Sequence, residues 1–354
     1  MNLRPPNHWF REEVLQMSPY IPGEQPQVGK FIKLNTNENP YPPSPKAIEA
    51  IVQAASSRLE RYPDPLGTSF RIRAAEVLGV TPDHILCGNG SDDILTIVTR
   101  ALVGKGDLLR LPYPSYILYR TLAQLQGASF EEVPFDADFG LSDPFYQPNP
   151  RLKLVFLPNP NSPSGTVIGP SEIEALASKL PCPILVDEAY ADYSDVNCIE
   201  LVKKNPQIMV SRTLSKSYAL AGLRFGFLVA HPEMIAVMRK VKDSYNTDAL
   251  SIAGATAAID DQVWLRENRT KILKTRQRMI DQARAMGFHV VDSHANFIWC
   301  THGNRPLQPL YESLKKQRVL VRYMNYQGWG EGLRISVGTD EQSDAAMSLM
   351  KGLL

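Results

Sequence analysis

Lys216 stands in the stretch SRTLSKSYALAGLRFG, Ser211 to Gly226, just past the apolar run Gln207-Ile208-Met209-Val210. A lysine beyond a buried strand, with few charges beside it, can lose its proton and act as a nucleophilic amine. Thr213, Ser215 and Arg224 add two hydroxyls and a guanidinium, donors that suit a phosphate dianion. The chemistry this set fits is a phosphorylated aldehyde held on the lysine as a Schiff base. The competing reading is a strand-to-loop junction whose Lys and Arg face water, the commoner fate of such residues. This stretch alone does not separate the two.

The flanking patterns supply a frame. His84-Ile85-Leu86-Cys87, then GNGSDD, then Ile94, Leu95, Val98, Ala101 and Leu102 read as a strand, a glycine turn at Gly90 and an amphipathic helix. Ser91 is the expected N-cap, with Asp92 and Asp93 in the first turn. Such a turn offers free backbone N–H groups to a phosphate. Gly88 and Gly90 match a dinucleotide fingerprint, but its third glycine is replaced by Asp93, which argues against an NAD oxidoreductase. Further strands are expected at Asp107 to Leu111, Ser129 to Phe135, Leu152 to Leu157 and Ile184 to Asp187. A helix runs from about Tyr116 to before Gly127, and Ser171 with Glu174 forms a capping-box match that opens another. Apolar strands separated by helices imply an α/β fold, a three-layer large domain with a mostly parallel sheet covered on both faces. Ligands in such sheets sit at the carboxyl ends of the strands, where Asp187, the PNPNSPSG loop and Lys216 all fall.

Two helical patterns follow Pro232, the second long and ended by Gly287. Short strands at Val290-Val291, Phe297 to Cys300, Val319 to Arg322 and Leu333 to Val337 then alternate with helices, a small α+β domain. The proline- and asparagine-rich start, ending in LNTNENPYPPSP, reads as an ordered arm without a helix, of the kind that crosses to a partner subunit. The expected division is an arm at 1–45 that contributes to the small domain and dimer contacts, a large domain at 46–245 and a small domain at 246–354.

Charge narrows the function. Lys and Arg number 38 and Asp and Glu 37, so no basic surface argues for nucleic acid, and a small polar substrate is the default. The cysteines Cys87, Cys182, Cys198 and Cys300 form no C-x-x-C pair and sit near no histidine at ligand spacing, so no metal is expected and a reducing cytoplasm fits. The N-terminus lacks the apolar core of a signal peptide, and no run of about 18 apolar residues occurs, so no membrane association is expected.

SKSYALAGLRFG, VDEAY, NPNSPSG, GNGSDD, LNTNENPYPPSP and LRISVG together resemble the fold-type-I aminotransferases that use pyridoxal phosphate, most closely the histidinol-phosphate aminotransferases. The match runs in the family's order from the arm to the last strand. The resemblance implies that Lys216 holds the cofactor and carries the proton, and that Asp187 pairs with the protonated ring nitrogen. Tyr190 would bond the phenolic oxygen and Tyr116 stack on the ring. Gly90, Ser91, Asp92, Thr213, Ser215 and Arg224 would surround the phosphate, and Tyr62 would reach it from the other subunit of a homodimer with a shared active site. The family asparagine that bonds the phenolic oxygen is replaced here by Ser162, with Asn161 beside it as a candidate substitute, and only a modest change in cofactor electronics is expected. Arg334, Arg322, Tyr20 and Asn39 fall on the substrate side. The implied reaction is ping-pong transfer of the amino group of L-histidinol phosphate to 2-oxoglutarate in histidine biosynthesis. An aromatic amino-acid aminotransferase, a threonine-phosphate decarboxylase and a non-catalytic pyridoxal-phosphate-binding module are the alternatives.

Overall fold

In the computed structural model, which describes residues 9–18, 23–26, 29–57 and 59–354, the apolar runs become a seven-stranded sheet. The first part of the chain forms α1 (Glu12–Leu15), β1 (Ile32–Lys33), α2 (Pro45–Ala55), α3 (Thr68–Leu78), β2 (Ile85–Gly88) and α4 (Ser91–Leu102). There follow β3 (Leu108–Tyr113), α5 (Leu118–Leu125), β4 (Ser129–Pro134), β5 (Leu152–Pro158), α6 (Pro170–Lys179), β6 (Ile184–Asp187), α7 (Ile199–Lys204), β7 (Ile208–Thr213) and β8 (Gly226–Val229). The large sheet has the order β2-β8-β7-β6-β5-β3-β4, in which β8 runs antiparallel to both neighbours and the other pairs are parallel.

The apolar runs are nearly continuous because both faces are covered. Side chains alternate across a strand, so Ile184 and Val186 enter one core with Phe70, Ile173 and Ile252, while Leu185 enters the other with Ile94, Leu95 and Tyr119. The expected large-domain architecture is therefore present.

The remainder forms α8 (Pro232–Met238), α9 (Ala249–Asp260), α10 (Gln262–Ala285), β9 (His289–Val290), β10 (Phe297–Thr301), α11 (Gln308–Lys316), β11 (Val319–Leu320), β12 (Arg322–Tyr326), β13 (Gly330–Ser336) and α12 (Asp340–Leu353). An antiparallel sheet of order β12-β13-β10-β9 packs against α10, α11 and α12 around a separate core. β1 pairs in parallel with β11, which ties the N-terminal segment to this smaller unit.

Several local expectations are corrected. Gly90, not Ser91, caps α4, and Gly169, not Ser171, caps α6, whose first residue is Pro170. Helix α3 is absent from the sequence reading because its core face carries Arg71 beside Phe70, Ala74 and Ala75. That arginine is buried, donating from Nε to the carbonyl oxygens of Pro82 and Ile85, each at 3.0 Å. Three helices, not two, lie between Pro232 and Gly287, and α9 is apolar on all sides because it packs against α2 and α3. Among the described residues of the arm is a helical turn, α1, which lies on α5 with Arg11 Nη2 donating to Leu125 O at 2.8 Å.

Candidate active site

The carboxyl ends of the parallel strands open into one cleft of about 530 Å³, within the usual size range of small-molecule sites. β6 ends on Asp187 and β7 on Thr213, with Ser215 and Lys216 immediately beyond, and α4 begins beside them at Ser91. Ser91, Asp92, Tyr116, Ser162, Asp187, Tyr190, Thr213, Ser215, Lys216, Arg224, Arg322 and Arg334 all line this cleft.

Asp187 is 6% exposed. Its Oδ2 accepts from the Tyr119 hydroxyl at 2.8 Å and its Oδ1 from Ser211 Oγ at 3.0 Å. Burial raises its pKa above the ordinary carboxylate value, while the two hydroxyls pull it back. A cation entering the cleft beside this carboxylate would offset that desolvation. Tyr119, fully buried and stacked on Phe156 with centroids 4.7 Å apart, is held well above its ordinary pKa, first by burial and then by the Asp187 charge, so it stays a donor.

Lys216 is half-buried, with Nζ donating to Thr36 O at 3.3 Å and 5.9 Å from the Tyr190 ring centroid. Its loop is anchored underneath. Arg212 donates from Nε to Glu188 Oε2 at 2.7 Å and from Nη1 to Asp192 Oδ1 at 2.8 Å, and Ser217 Oγ donates to the other Asp192 oxygen. Asn39 Nδ2 donates to Ser217 O at 3.0 Å, so Asn39 braces the lysine loop and does not line the cleft.

One corner of the cleft is built for an anion. The first N–H groups of α4 have no partner within the helix, and Thr213, Ser215 and Arg224 stand around them. This corner needs two glycines. At Gly90, with φ of +83°, an added Cβ would lie 2.7 Å from Arg224 Nη2. At Gly226 a Cβ would lie 2.5 Å from both Gly90 C and Ser91 N, so β8 and the start of α4 touch backbone to backbone. Gly226→Ala is expected to lower stability by about 1–3 kcal/mol, the range for overpacking, and to weaken phosphate binding. Thermal melts and phosphate-ester titration check this, and an unchanged melting temperature would remove the role given to the contact.

The opposite wall carries two more cations. Arg322 on β12 stands directly across from Arg334 on β13. Like charges facing each other across a ladder are unfavourable, and an anion between them reverses the sign. Arg334 is partly buried, not solvated: Nη1 donates to Ser162 Oγ at 2.9 Å, Nη2 to Asn35 O at 3.1 Å, and its guanidinium lies 5.4 Å from the Phe297 ring centroid.

Asn161 stays outside the cleft lining. It is buried, with Nδ2 donating to Ser164 Oγ at 2.9 Å and to Pro114 O at 3.3 Å, so it is not placed to take over from the replaced family asparagine. Tyr62 is 80% exposed and stacks on Tyr245 away from its own chain's cleft, with centroids 4.5 Å apart. Tyr20 lies outside the described residues. The sequence reading missed Tyr119, Ser211, Thr36 and Asn37. Only the asparagine-rich segment containing Asn37 carried a local signal, and Tyr119 and Ser211 look like ordinary core positions. Among the described residues, no group of three or more His, Cys, Asp or Glu side chains is placed to hold a metal ion. No described helix is long and apolar enough to cross a membrane.

A mostly parallel sheet with a lysine, a buried acid and an anion corner at the strands' carboxyl edge is the site that the resemblance to aminotransferases implies. The family model "Aminotransferase class I and II" matches residues 29–349, and the chain belongs to this family. Its curated relatives are more specific. Histidinol-phosphate aminotransferase from Rhodopirellula baltica is 55% identical, covering 97% of this chain and 95% of its own. Histidinol-phosphate aminotransferase 1 from Trichormus variabilis is 42% identical, covering 98% and 99%. Among solved structures, histidinol-phosphate aminotransferase from Sinorhizobium meliloti in complex with pyridoxal-5'-phosphate matches with a TM-score of 0.86 at 24% identity, covering 98% of each chain.

Proposed function

We propose that this protein binds pyridoxal 5'-phosphate and catalyses amino-group transfer from L-histidinol phosphate to 2-oxoglutarate, yielding L-glutamate, in histidine biosynthesis. The observation that carries the reading is one cleft with a lysine amine and a buried carboxylate between two anion-binding walls. One wall suits the cofactor phosphate and the other an anionic substrate. The donor set fits the cofactor: Thr213, Ser215, Arg224 and the start of α4 for the phosphate, Asp187 for the ring nitrogen, and Tyr190 for the phenolic oxygen, with Tyr116 against the ring.

When bound, the cofactor supplies an electron sink for the substrate carbanion. The Asp187 carboxylate, kept dry between Tyr119 and Ser211, favours a protonated ring nitrogen. Lys216 Nζ takes the proton from the substrate carbon and returns it. Arg322 and Arg334 orient the substrate, and the planar, permanently charged Arg334 fork accepts the donor's phosphate or the acceptor's carboxylate alike. Ser162 Oγ accepts a hydrogen bond from Arg334 Nη1, so in this chain the residue at the replaced asparagine position steadies the substrate arginine.

The reading extends to a homodimer with a shared active site. Ile48 and Val52 on α2, Ile72 on α3, Leu59 and Tyr62 are exposed apolar side chains, a surface suited to a second copy that would receive Tyr62 at its phosphate corner. It also draws the small domain as beginning near Asp261, because Ile252, Ala255, Ala258 and Ile259 of α9 belong to the large-domain core. Four free, buried cysteines accord with a cytoplasmic protein.

The test is a donor panel with 2-oxoglutarate, followed by the visible absorbance of bound pyridoxal phosphate. The band should be lost with L-histidinol phosphate and return with 2-oxoglutarate. Histidinol phosphate should exceed histidinol by at least about 10²-fold in kcat/KM, as expected of two hydrogen bonds to a charged group at roughly 1.5–3 kcal/mol each. Equal turnover of the two, preference for aromatic amino acids, or release of carbon dioxide from threonine phosphate would overturn the substrate assignment.

A further inference from the structure

We infer that Asn37 is a positioning residue that fixes the direction in which the Tyr190 hydroxyl gives its proton, aiming it into the cleft. The inference rests on the cofactor reading above and adds a residue to it.

Asn37 is 1% exposed and has φ of +56°, a left-handed conformation that asparagine and aspartate tolerate better than most residues. Its backbone N–H donates to Ser336 Oγ at 2.9 Å, and Ser336 Oγ donates to Asn37 Oδ1 at 3.0 Å. The hydroxyl of Ser336 has one proton, and in this arrangement that proton goes to Oδ1. With Oδ1 taking the Ser336 proton, Nδ2 is the end of the amide that faces Tyr190. Nδ2 donates to the Tyr190 hydroxyl oxygen at 2.9 Å.

A phenol also has one proton. Because the Tyr190 oxygen accepts from Asn37, its own O–H points away from Asn37, and Tyr190 lines the cleft. The ring cannot swing freely to another partner, since Phe297 meets it edge-on with centroids 5.1 Å apart and planes at 86°. Asn296 Nδ2, donating to Asn37 O at 3.0 Å, fixes the segment from the other side. Ser336 is the last residue of β13 and Asn296 immediately precedes β10, so the smaller sheet sets the proton direction of a tyrosine in the large domain.

Asn37→Asp keeps the backbone preference and the Ser336 bond but replaces a donor by an acceptor, so Tyr190 turns its proton toward residue 37. The probe is the pH titration of the visible absorbance of bound pyridoxal phosphate in the full-length holoenzyme. Losing a donor to the cofactor's anionic oxygen should raise the midpoint by about one pH unit, the size of one charge-assisted hydrogen bond. Tyr190→Phe should do the same. The new negative charge would also raise the midpoint, but equally with or without the hydroxyl. The expected result is that most of the Asn37→Asp shift disappears once Tyr190→Phe is present. Ser336→Ala, which frees the amide to turn over, should move the midpoint the same way by less. Equal Asn37→Asp shifts in both backgrounds, or none in either, would overturn the role of Asn37. A wild-type protein with no visible cofactor band would instead overturn the parent reading, and this one with it.

Discussion

Lys216→Ala should leave a protein that still binds pyridoxal phosphate but turns over at least about 10³-fold more slowly, because both its proton carrier and its nucleophile are gone. Binding survives since the phosphate corner lies on other residues: Thr213, Ser215, Arg224 and the start of α4 keep their places. The fold should survive too. Lys216 is only half-buried, its Nζ donates to Thr36 O at 3.3 Å, and its loop is held by Ser217 and Asn39. The measurement is single-turnover loss of the cofactor band with L-histidinol phosphate, beside equilibrium binding of the cofactor. Normal turnover would end the assignment of Lys216. Loss of folding, seen in the melt, would show that the loop depends on Lys216 more than its contacts suggest.

The second large effect is at Asp187. Removing one partner of a buried charge pair costs about 3–5 kcal/mol, so Asp187→Ala should weaken cofactor binding roughly 10²- to 10³-fold and slow proton abstraction. The sign of the pH dependence follows from burial. Without a cation beside it, Asp187 has a raised pKa, so its contribution to stability is full below the ordinary carboxylate value and is lost as pH rises through the folded pKa. A cationic ring nitrogen removes that penalty. The melting-temperature gain on adding cofactor should therefore be larger near pH 8 than near pH 5, and Asp187→Asn should flatten the difference. A Kd unaffected by Asp187→Ala, or a gain independent of pH in the unaltered protein, would mean that Asp187 does not face the cation.

Most of the large sheet was legible because its signals are local. A strand buried on both faces reads as an apolar run, and VDEAY and SKSYALAGLRFG carry their chemistry at strand ends where a parallel sheet must place ligands. Helix α3 was not legible, because Arg71 interrupts its apolar face and finds its partners, the carbonyls of Pro82 and Ile85 and the Asp83 carboxylate, beyond the helix. Strand β8 carries little local signal, since its four residues Gly226–Val229 follow directly on the loop that ends at Phe225. Ser162 could be seen to depart from the family asparagine, but its bond to Arg334 spans 172 residues and has no trace in either local stretch.

Residue types and hydrophobic period were enough to read the class of chemistry, most strands of the large sheet and which lysine and carboxylate stand at strand ends, because both act over a few neighbouring positions. How those groups are tuned depends on contacts between distant parts of the chain. Tyr119 reaches Asp187 across 68 residues, Arg322 faces Arg334 through β-sheet register, and Asn37 meets Ser336 across 299 residues to direct Tyr190. Hydrogen-bond direction, burial and opposed charges depend on what the fold brings within a few ångströms, and no local pattern encodes that distance.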